Sequence, residues 1–315
     1  MASWSALVVT TAVALAVSPL GSPPATAEGE VSYSYLDGVA AQFRAPDASP
    51  PGANDWTCRL DHAHPEPVVL LHGLSNQTVT WNTLAPVLAA EGHCVFSTTY
   101  GTGALGSLGA LGPISDSAVQ IGAFIDRVLS ATGAAKVDLV GHSMGGAIPF
   151  HYINHLGGGP RIDDYVAMAA PFHGTTLSGI QSMFDTVATT VPELDDAITR
   201  QCGPCQFSYG SPYLTDLRPD PAVAPGIDFT TIVTRYDEIA TPYETGLLAG
   251  ANVDNVVVQD LCAQDYTEHY ELTADPVAVS VVLAALSGDG HPSPGCFPVL
   301  PFIGPLPVGS ATPPA

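Results

Sequence analysis

The chain has 315 residues, of which 46% are hydrophobic and 12% charged, and its 8 basic and 30 acidic residues give a formal net charge of −22. This charge balance provides no basic patch, so we expect no nucleic-acid partner, and it opposes binding to anionic membrane surfaces. It suits a soluble, exported protein that meets neutral substrates. The length permits one large α/β domain or two smaller ones.

The first 27 residues have the features of an export signal. Residues 1–27 contain no charged side chain, residues 7–17 form an apolar run, and residues 25–27 read Ala-Thr-Ala, which fits an A-x-A cleavage pattern. The usual Lys or Arg before the apolar run is missing, and the run is too short to span a bilayer. We predict a signal peptide over 1–27, a mature start at Glu28 and a secreted, extracellular location.

The next part of the chain leads into a strand–helix alternation. Residues 28–56 contain three prolines and predict an extended N-terminal segment. Residues 68–71 are all apolar and predict a buried strand, which ends in the loop His72-Gly73-Leu74. The following segments are predicted as a helix over 78–90 with a kink at Pro86, a short strand over 94–98, a Gly-rich apolar loop over 100–113 and a helix over 115–130.

The chemistry of the chain is signalled by residues 137–145. The apolar run 137–140 predicts a strand, and residues 141–145 read Gly-His-Ser-Met-Gly, the G-x-S-x-G pattern. In a nucleophile elbow the serine lies on a sharp strand-to-helix turn, and the glycines avoid clashes. A helix predicted to about Leu156 follows, and its free N–H groups favour a developing negative charge near Ser143. The strand, turn and helix together favour a nucleophile over an ordinary Gly/Ser turn.

The remaining segments predict an α/β fold. The alternation continues with strands predicted over 165–170, 229–233 and 256–258 and a closing helix over 276–286. We therefore predict a mostly parallel central sheet with helices on both faces, in a single domain. An apolar stripe over 180–191 favours a core helix over a mobile flap. The predicted regions are an N-terminal extension over 28–56, a domain over 57–290 with 174–226 as a candidate cap or lid insertion, and a Pro-rich tail over 291–315 without a helix or strand pattern.

A base and an acid that would activate the serine follow it in the chain. A serine hydroxyl needs a base to take its proton, and the base needs an acid to fix its tautomer. Asp237 and His269 each follow a predicted strand, so with Ser143 they give the order serine, acid, histidine at the carboxyl ends of strands. Of the ten histidines only His269 and His291 follow Asp237, and His291 lies in the Pro-rich tail.

The acid is less constrained than the base. Asp237 has the favoured position, but other acids are near it, namely Glu238, Asp260 and Asp265. Asp237 could also be an ordinary strand-end residue that pairs with Arg235.

The reaction also needs two backbone N–H groups for the oxyanion. One comes from the residue after the nucleophile, Met144, and the other from the loop after the early strand, for which we nominate Leu74. We expect His72 in that loop to be a structural hydrogen-bonding residue.

Six cysteines in an exported chain predict three disulfides, for which fifteen pairings exist. We favour sequential pairing, because each bridge then spans a loop next to a strand. The Cys-Gly-Pro-Cys segment lacks a second Cys or His pair for a metal, and a redox role is less favoured than a structural bridge. We expect no metal and no cofactor. The predicted bridges are Cys58–Cys94, Cys202–Cys205 and Cys262–Cys296.

With these residues assembled, the chain resembles the secreted bacterial class 2 triacylglycerol lipases of the α/β-hydrolase superfamily. The resemblance covers about 54–290 and is carried by residues 67–82, 112–146, 234–243, 261–262 and 268–269. It implies the triad Ser143, Asp237 and His269, the oxyanion donors Leu74 and Met144, and hydrolysis of lipid or short-chain esters. It also supports the sequential disulfides. Lipases, simple esterases and polyester-cleaving enzymes share the pattern, so the substrate stays open.

We therefore predict a secreted, monomeric serine ester hydrolase that cleaves acylglycerols through an acyl-enzyme and meets a lipid–water interface transiently. One alternative is a carboxylesterase on soluble short-chain or polymeric esters. A peptidase or acyltransferase would use the same chemistry, and a non-catalytic α/β-hydrolase-fold binding protein would have a broken triad.

Overall fold

The computed structural model describes residues 31–45, 48–102, 108–176, 201–217, 226–288 and 294–306. The predicted signal peptide and the apolar stripe at 180–191 lie outside these ranges, as does most of the candidate cap insertion.

The centre of the protein is a parallel six-stranded sheet in the order β2-β1-β3-β4-β5-β6. Its strands are β1 (Val68–Leu71), β2 (Val95–Thr98), β3 (Val137–His142), β4 (Ile162–Met168), β5 (Asp228–Val233) and β6 (Val253–Val257). Every residue of β1 and β3 is buried, as expected for a parallel sheet covered on both faces. The prediction of an α/β fold is confirmed.

Helices cover both faces of this sheet. The α-helices are α1 (Tyr35–Arg44), α2 (Leu84–Ala90), α3 (Ile114–Thr132), α4 (Met144–Ala147), α5 (Pro149–His155), α6 (Gly203–Gln206), α7 (Pro212–Leu217), α8 (Val258–Leu261) and α9 (Pro276–Ser287). Short 3-10 helices are Thr78–Trp81, Gly159–Arg161, Tyr243–Gly246 and Glu271–Thr273. Val69 and Leu71 belong to the apolar core with α3 and α5, whereas Val68 and Leu70 belong to the core with α2 and α9. None of the helices within the described ranges is long and apolar enough to cross a membrane.

Two helices predicted as continuous are interrupted. The segment predicted as one helix over 78–90 is a 3-10 turn followed by α2, which begins at Leu84 so that Pro86 falls in the first turn. The helix after Ser143 is likewise divided, because Pro149 is the first residue of α5. Proline has no N–H to donate, and the first helical turn is where that N–H would have no partner. Both prolines therefore lie in the first turn of a helix.

The N-terminal segment predicted as extended contains a helix, so that prediction is wrong. Helix α1 packs on the 3-10 helix Thr78–Trp81, and Gly38 approaches it so closely that a Cβ would lie 3.2 Å from the Val79 carbonyl oxygen. Asp37 lies in the first turn and Arg44 in the last, which favours the helix through its dipole. Such end charges stabilise a helix only weakly, so α1 depends on its packing partners.

The Pro-rich tail, predicted without strands, contains a short hairpin of β7 (Val299–Leu300) and β8 (Gly304–Pro305). Val299 also forms an isolated bridge with Asp265, and the Tyr266 N–H donates to the Val299 carbonyl (3.0 Å). The hairpin forms because a distant loop supplies its partner, which periodicity within the tail does not reveal.

Three disulfides join the six cysteines in sequential order. Cys58–Cys94 connects the segment before β1 to the start of β2, Cys202–Cys205 spans α6, and Cys262–Cys296 attaches the tail beside α8. The first of these bridges lies at the start of β2, and the last follows β6 through α8.

Removing the disulfide that closes the longest loop should destabilise the protein the most. Cys58 and Cys94 are 36 residues apart, and Cys202 and Cys205 only 3. Because cross-linking restricts the unfolded chain more for longer loops, replacing Cys58 and Cys94 together by alanine should lower the free energy of unfolding by about 3–4 kcal/mol. Replacing Cys202 and Cys205 by alanine is the control, and it should lower the free energy of unfolding by clearly less. Denaturant titrations measure both changes. Equal losses would contradict this ranking.

A buried carboxyl at the amino end of β3 opposes folding at high pH. Asp138 is 4% exposed, and its Oδ1 accepts the Asp164 N–H (3.2 Å). The pKa of Asp138 is raised from 3.8 to about 8, mainly by burial, and the nearby acids Asp164, Glu66 and Asp163 contribute to the rise. Stability from this group is therefore complete below the unfolded pKa and is lost as pH rises towards about 8.

Replacing Asp138 by asparagine tests that effect. Asparagine keeps an oxygen for the Asp164 N–H and removes the charge, so Asp138→Asn should raise the free energy of unfolding by on the order of 2 kcal/mol near pH 9. Near pH 4 it should change little. Thermal melts of both proteins across this pH range measure the difference, and a gain that is equal at every pH would refute the assignment.

Candidate active site

Ser143 lies on a sharp turn between β3 and α4. Its backbone has φ 55° and ψ −125°, a conformation that residues other than glycine rarely adopt. Its N–H donates to the Met168 carbonyl on β4 (2.8 Å). A Cβ at Gly141 would collide with the Gly145 backbone, and one at Gly145 with carbonyl groups at the end of β1. Glycine is therefore required two residues either side of the serine.

His269 and Asp237 form a buried hydrogen-bonded pair. The His269 Nδ1 lies 2.9 Å from Oδ2 and 3.0 Å from Oδ1 of Asp237, and each side chain is 2% exposed. The Asp237 Oδ1 also accepts the N–H groups of Ile239 (2.9 Å) and Ala240 (2.6 Å). Because the carboxylate accepts from Nδ1–H, the neutral imidazole has Nε2 as its acceptor nitrogen. The ring is thus in the tautomer that a general base needs.

The other acids considered from the sequence have different partners. Arg235 donates to Asp260 (2.7 Å), so the alternative pairing of Arg235 with Asp237 is wrong. Asp265 accepts the Thr267 N–H (2.9 Å), and Glu238 accepts the backbone N–H of His269 (3.3 Å). Within the described ranges, Asp237 is the acid that contacts the His269 ring.

Ser143 and His269 line one pocket of about 460 Å³. Leu74 and Met144 line it as well, so four of the five candidates meet there and Asp237 joins them through His269. The other lining residues are Asn76, His142, Pro171, Thr175, Pro204, Phe207, Ile239, Ala240 and Tyr270. Most of these side chains are apolar, and they come from loops after several strands. Sequence reasoning missed them, because loop residues brought together by folding share no periodic signal.

The Leu74 and Met144 N–H groups have no hydrogen-bond partner within the described part of the chain. Met144 is the first residue of α4, where N–H groups lack partners within the helix. Gly73 packs so tightly beside the serine that a Cβ would lie 2.9 Å from the Ser143 Cβ. Two unused donors therefore lie on the two segments that border Ser143.

A buried histidine fixes the direction of the Leu74 N–H. The Tyr100 N–H donates to His72 Nε2 (3.3 Å), so Nδ1 carries the ring proton and donates to the Gly73 carbonyl (2.8 Å). In a trans peptide the N–H points opposite to the carbonyl, so holding this carbonyl orients the Leu74 N–H. Burial lowers the pKa of His72 to about 4, which keeps the ring neutral.

Two buried glutamates support the loop that carries His269. Glu268 accepts the N–H groups of Tyr270 (2.6 Å) and Phe302 (3.2 Å), and Glu271 accepts the Tyr35 N–H (3.0 Å). Burial raises the pKa of Glu268 to about 7 and that of Glu271 to about 8. These contacts connect the loop to the β7–β8 hairpin and to α1. We call this pair the glutamate support.

One group of acids could hold a metal ion. Carboxylate oxygens of Asp138, Asp163 and Asp164 lie within 4.8 Å of one another, and oxygen ligands suit a hard cation. Lys136 already contacts Asp163 (Nζ to Oδ1, 2.6 Å). Since these residues lie at the amino ends of β3 and β4, the group is at the sheet edge opposite Ser143.

The described fold is similar to that of a known lipase. The structure resembles lipase B from Aspergillus fumigatus with a TM-score of 0.55 and 17% sequence identity, over 79% of this chain and 57% of that one. It also resembles the mature form of the Bacillus licheniformis lipase BlEst2, with a TM-score of 0.48 and 14% identity, over 72% of this chain and 89% of that one. The likeness to lipase B confirms the predicted α/β-hydrolase fold.

The amino-acid sequence identifies the family. Residues 65–281 match the family described as Lipase (class 2), and this span includes β1, the Ser143 turn, Asp237 and His269. It covers more than half of the chain, and the resemblance stated from the sequence is confirmed. The chain belongs to the class 2 lipase family.

Proposed function

We propose that this protein is a serine ester hydrolase that cleaves acylglycerols through an acyl-enzyme intermediate. The observation that carries the proposal is the buried Asp237–His269 pair, whose ring lines the same pocket as Ser143 on its strained turn. A hydroxyl on such a turn, beside a histidine in the tautomer of a base, is the arrangement that nucleophilic catalysis requires.

In this mechanism Ser143 attacks the ester carbonyl while His269 Nε2 takes the hydroxyl proton. Asp237 holds the ring through Nδ1 and stabilises the cation that forms. The protonated His269 then gives the proton to the leaving alcohol, and the acyl group stays on Ser143. Water attacks the acyl-enzyme with His269 again as base, which releases the acid and restores the enzyme.

The oxyanion of each tetrahedral intermediate would be bound by the N–H groups of Leu74 and Met144. Both are unused within the described residues, and the His72 bond to the Gly73 carbonyl holds one of them in place. Donors fixed before the reaction need no reorganisation as the charge develops, and one such donor is worth about 3–4 kcal/mol in the transition state.

The surroundings of the site support a lipid ester as substrate. The pocket is largely apolar, with Phe207, Ile239 and Pro171 among its walls, which suits an acyl chain. A net charge of −22 favours a neutral substrate surface over an anionic one. The three disulfides support an extracellular location, and we propose that the protein acts there as a monomer.

A rate scan across the solubility limit of tributyrin tests this function, with Ser143→Ala as the matched control. The wild-type rate should rise as the ester passes into emulsion, and Ser143→Ala should lose at least about 10⁴-fold of it. Saturation below the solubility limit would instead favour an esterase for soluble esters. Retained turnover by a folded Ser143→Ala protein would refute the assigned nucleophile. If the wild type hydrolysed neither tributyrin nor p-nitrophenyl butyrate, a non-catalytic binding role would replace this proposal.

The Asp237–His269 bond has its own test. Asp237→Asn keeps an oxygen for the N–H groups of Ile239 and Ala240, but its amide can donate to His269 and favour the wrong tautomer. We expect kcat to fall by about 10³- to 10⁴-fold with the melting temperature nearly unchanged. Steady-state kinetics beside thermal melts check this, and a loss below tenfold would show that another group orients the histidine.

A further inference from the structure

His142, the residue just before Ser143, contacts the loop of the proposed base. Its side chain is buried, with 1% exposure, and its Nε2 lies 2.8 Å from the backbone carbonyl oxygen of His269. The two imidazole rings are 4.7 Å apart between centroids. The hydrogen bond joins residues 127 positions apart in the chain. It is therefore a direct link between the strand that carries the nucleophile and the loop that carries the base.

The partner of this bond defines the protonation of His142. A carbonyl oxygen can only accept, so Nε2 carries the hydrogen and the neutral ring has a bare Nδ1. That Nδ1 has no partner within the described residues, and it faces Gly73, where a Cβ would lie 3.1 Å away. Burial, and then the nearby His269, hold the pKa of His142 well below its usual value. The ring is thus a fixed, uncharged donor.

The backbone of His269 is held at both of its polar groups. Its N–H donates to Glu238 Oε2 (3.3 Å) and its carbonyl accepts from His142 (2.8 Å). Glu238 follows the proposed acid Asp237, and His142 precedes the proposed nucleophile. The residue after the proposed acid and the residue before the proposed nucleophile therefore both contact the main chain of the proposed base. The contact with Ser143's strand is the shorter of the two.

We propose that His142 is a positioning residue, which holds the His269 main chain through its Nε2–H and so sets the distance and angle between the base and Ser143. This inference rests on the proposed function, because it assigns His142 to the same reaction. His142 does not touch the reacting atoms through this bond. Its effect should appear in kcat, since an error of about 1 Å in the placement of a base costs about 100-fold.

Two substitutions separate the hydrogen bond from the packing. His142→Gln places an amide N–H near the position of Nε2, whereas His142→Leu has an apolar side chain without a donor. With p-nitrophenyl butyrate, His142→Leu should lower kcat by about 10- to 100-fold with KM within about twofold. His142→Gln should recover most of that loss. His93→Leu is the matched control, because His93 is also a buried histidine, 6% exposed, and lies outside the pocket.

The outcomes separate this inference from the proposed function. Thermal melts and active-site titration with a phosphonate ester give kcat per folded, reactive site. If His142→Leu matched wild-type kcat on that basis, or if His142→Gln were no better than His142→Leu, the inference would be overturned while ester hydrolysis by Ser143 stood. Nitrogen chemical shifts of the wild-type His142 ring give a readout independent of activity. They should report a neutral, Nε2-protonated imidazole, and a charged or Nδ1-protonated ring would also overturn the inference.

Discussion

The tight turn at Ser143 is the constraint on which the other parts of the site depend. The turn is possible only because Gly141 and Gly145 let β3, α4 and the end of β1 touch backbone to backbone. That contact brings the Gly73 loop against the serine and leaves the N–H of Met144 at the start of a helix without a partner. The candidate oxyanion donors thus follow from strand packing and need no dedicated side chain.

Three buried histidines around this turn have different roles. His72 and His142 each have a lowered pKa because of burial, and each donates one ring hydrogen to a backbone carbonyl. His269 alone has a carboxylate against its ring. Two of the rings therefore act as uncharged supports, and the proposed proton chemistry is confined to the third. A second cation beside His269 would oppose its protonation, so neutral supports suit the reaction.

The sequence predicts those features that follow from the parallel sheet. Ser143, Asp237 and His269 could be selected because parallel strands bring their carboxyl ends to one edge, where the structure has Ser143 and His269 lining one pocket. Helix α1 and the β7–β8 hairpin could not be predicted in this way, because their stabilising partners lie far along the chain. The hydrogen bond from Tyr35 to Glu271 is an example. The pocket walls were missed for the same reason.

The Cys262–Cys296 bridge has a consequence for the glutamate support. Glu268 accepts a hydrogen bond from the N–H of Phe302 in the hairpin. Cys296 lies only a few residues before Phe302 in the chain. The bridge keeps the hairpin close to Glu268 even when that hydrogen bond opens, which amounts to a high effective concentration of the two partners. Oxidation of this one cysteine pair therefore favours the hydrogen bond between Phe302 and Glu268 behind His269.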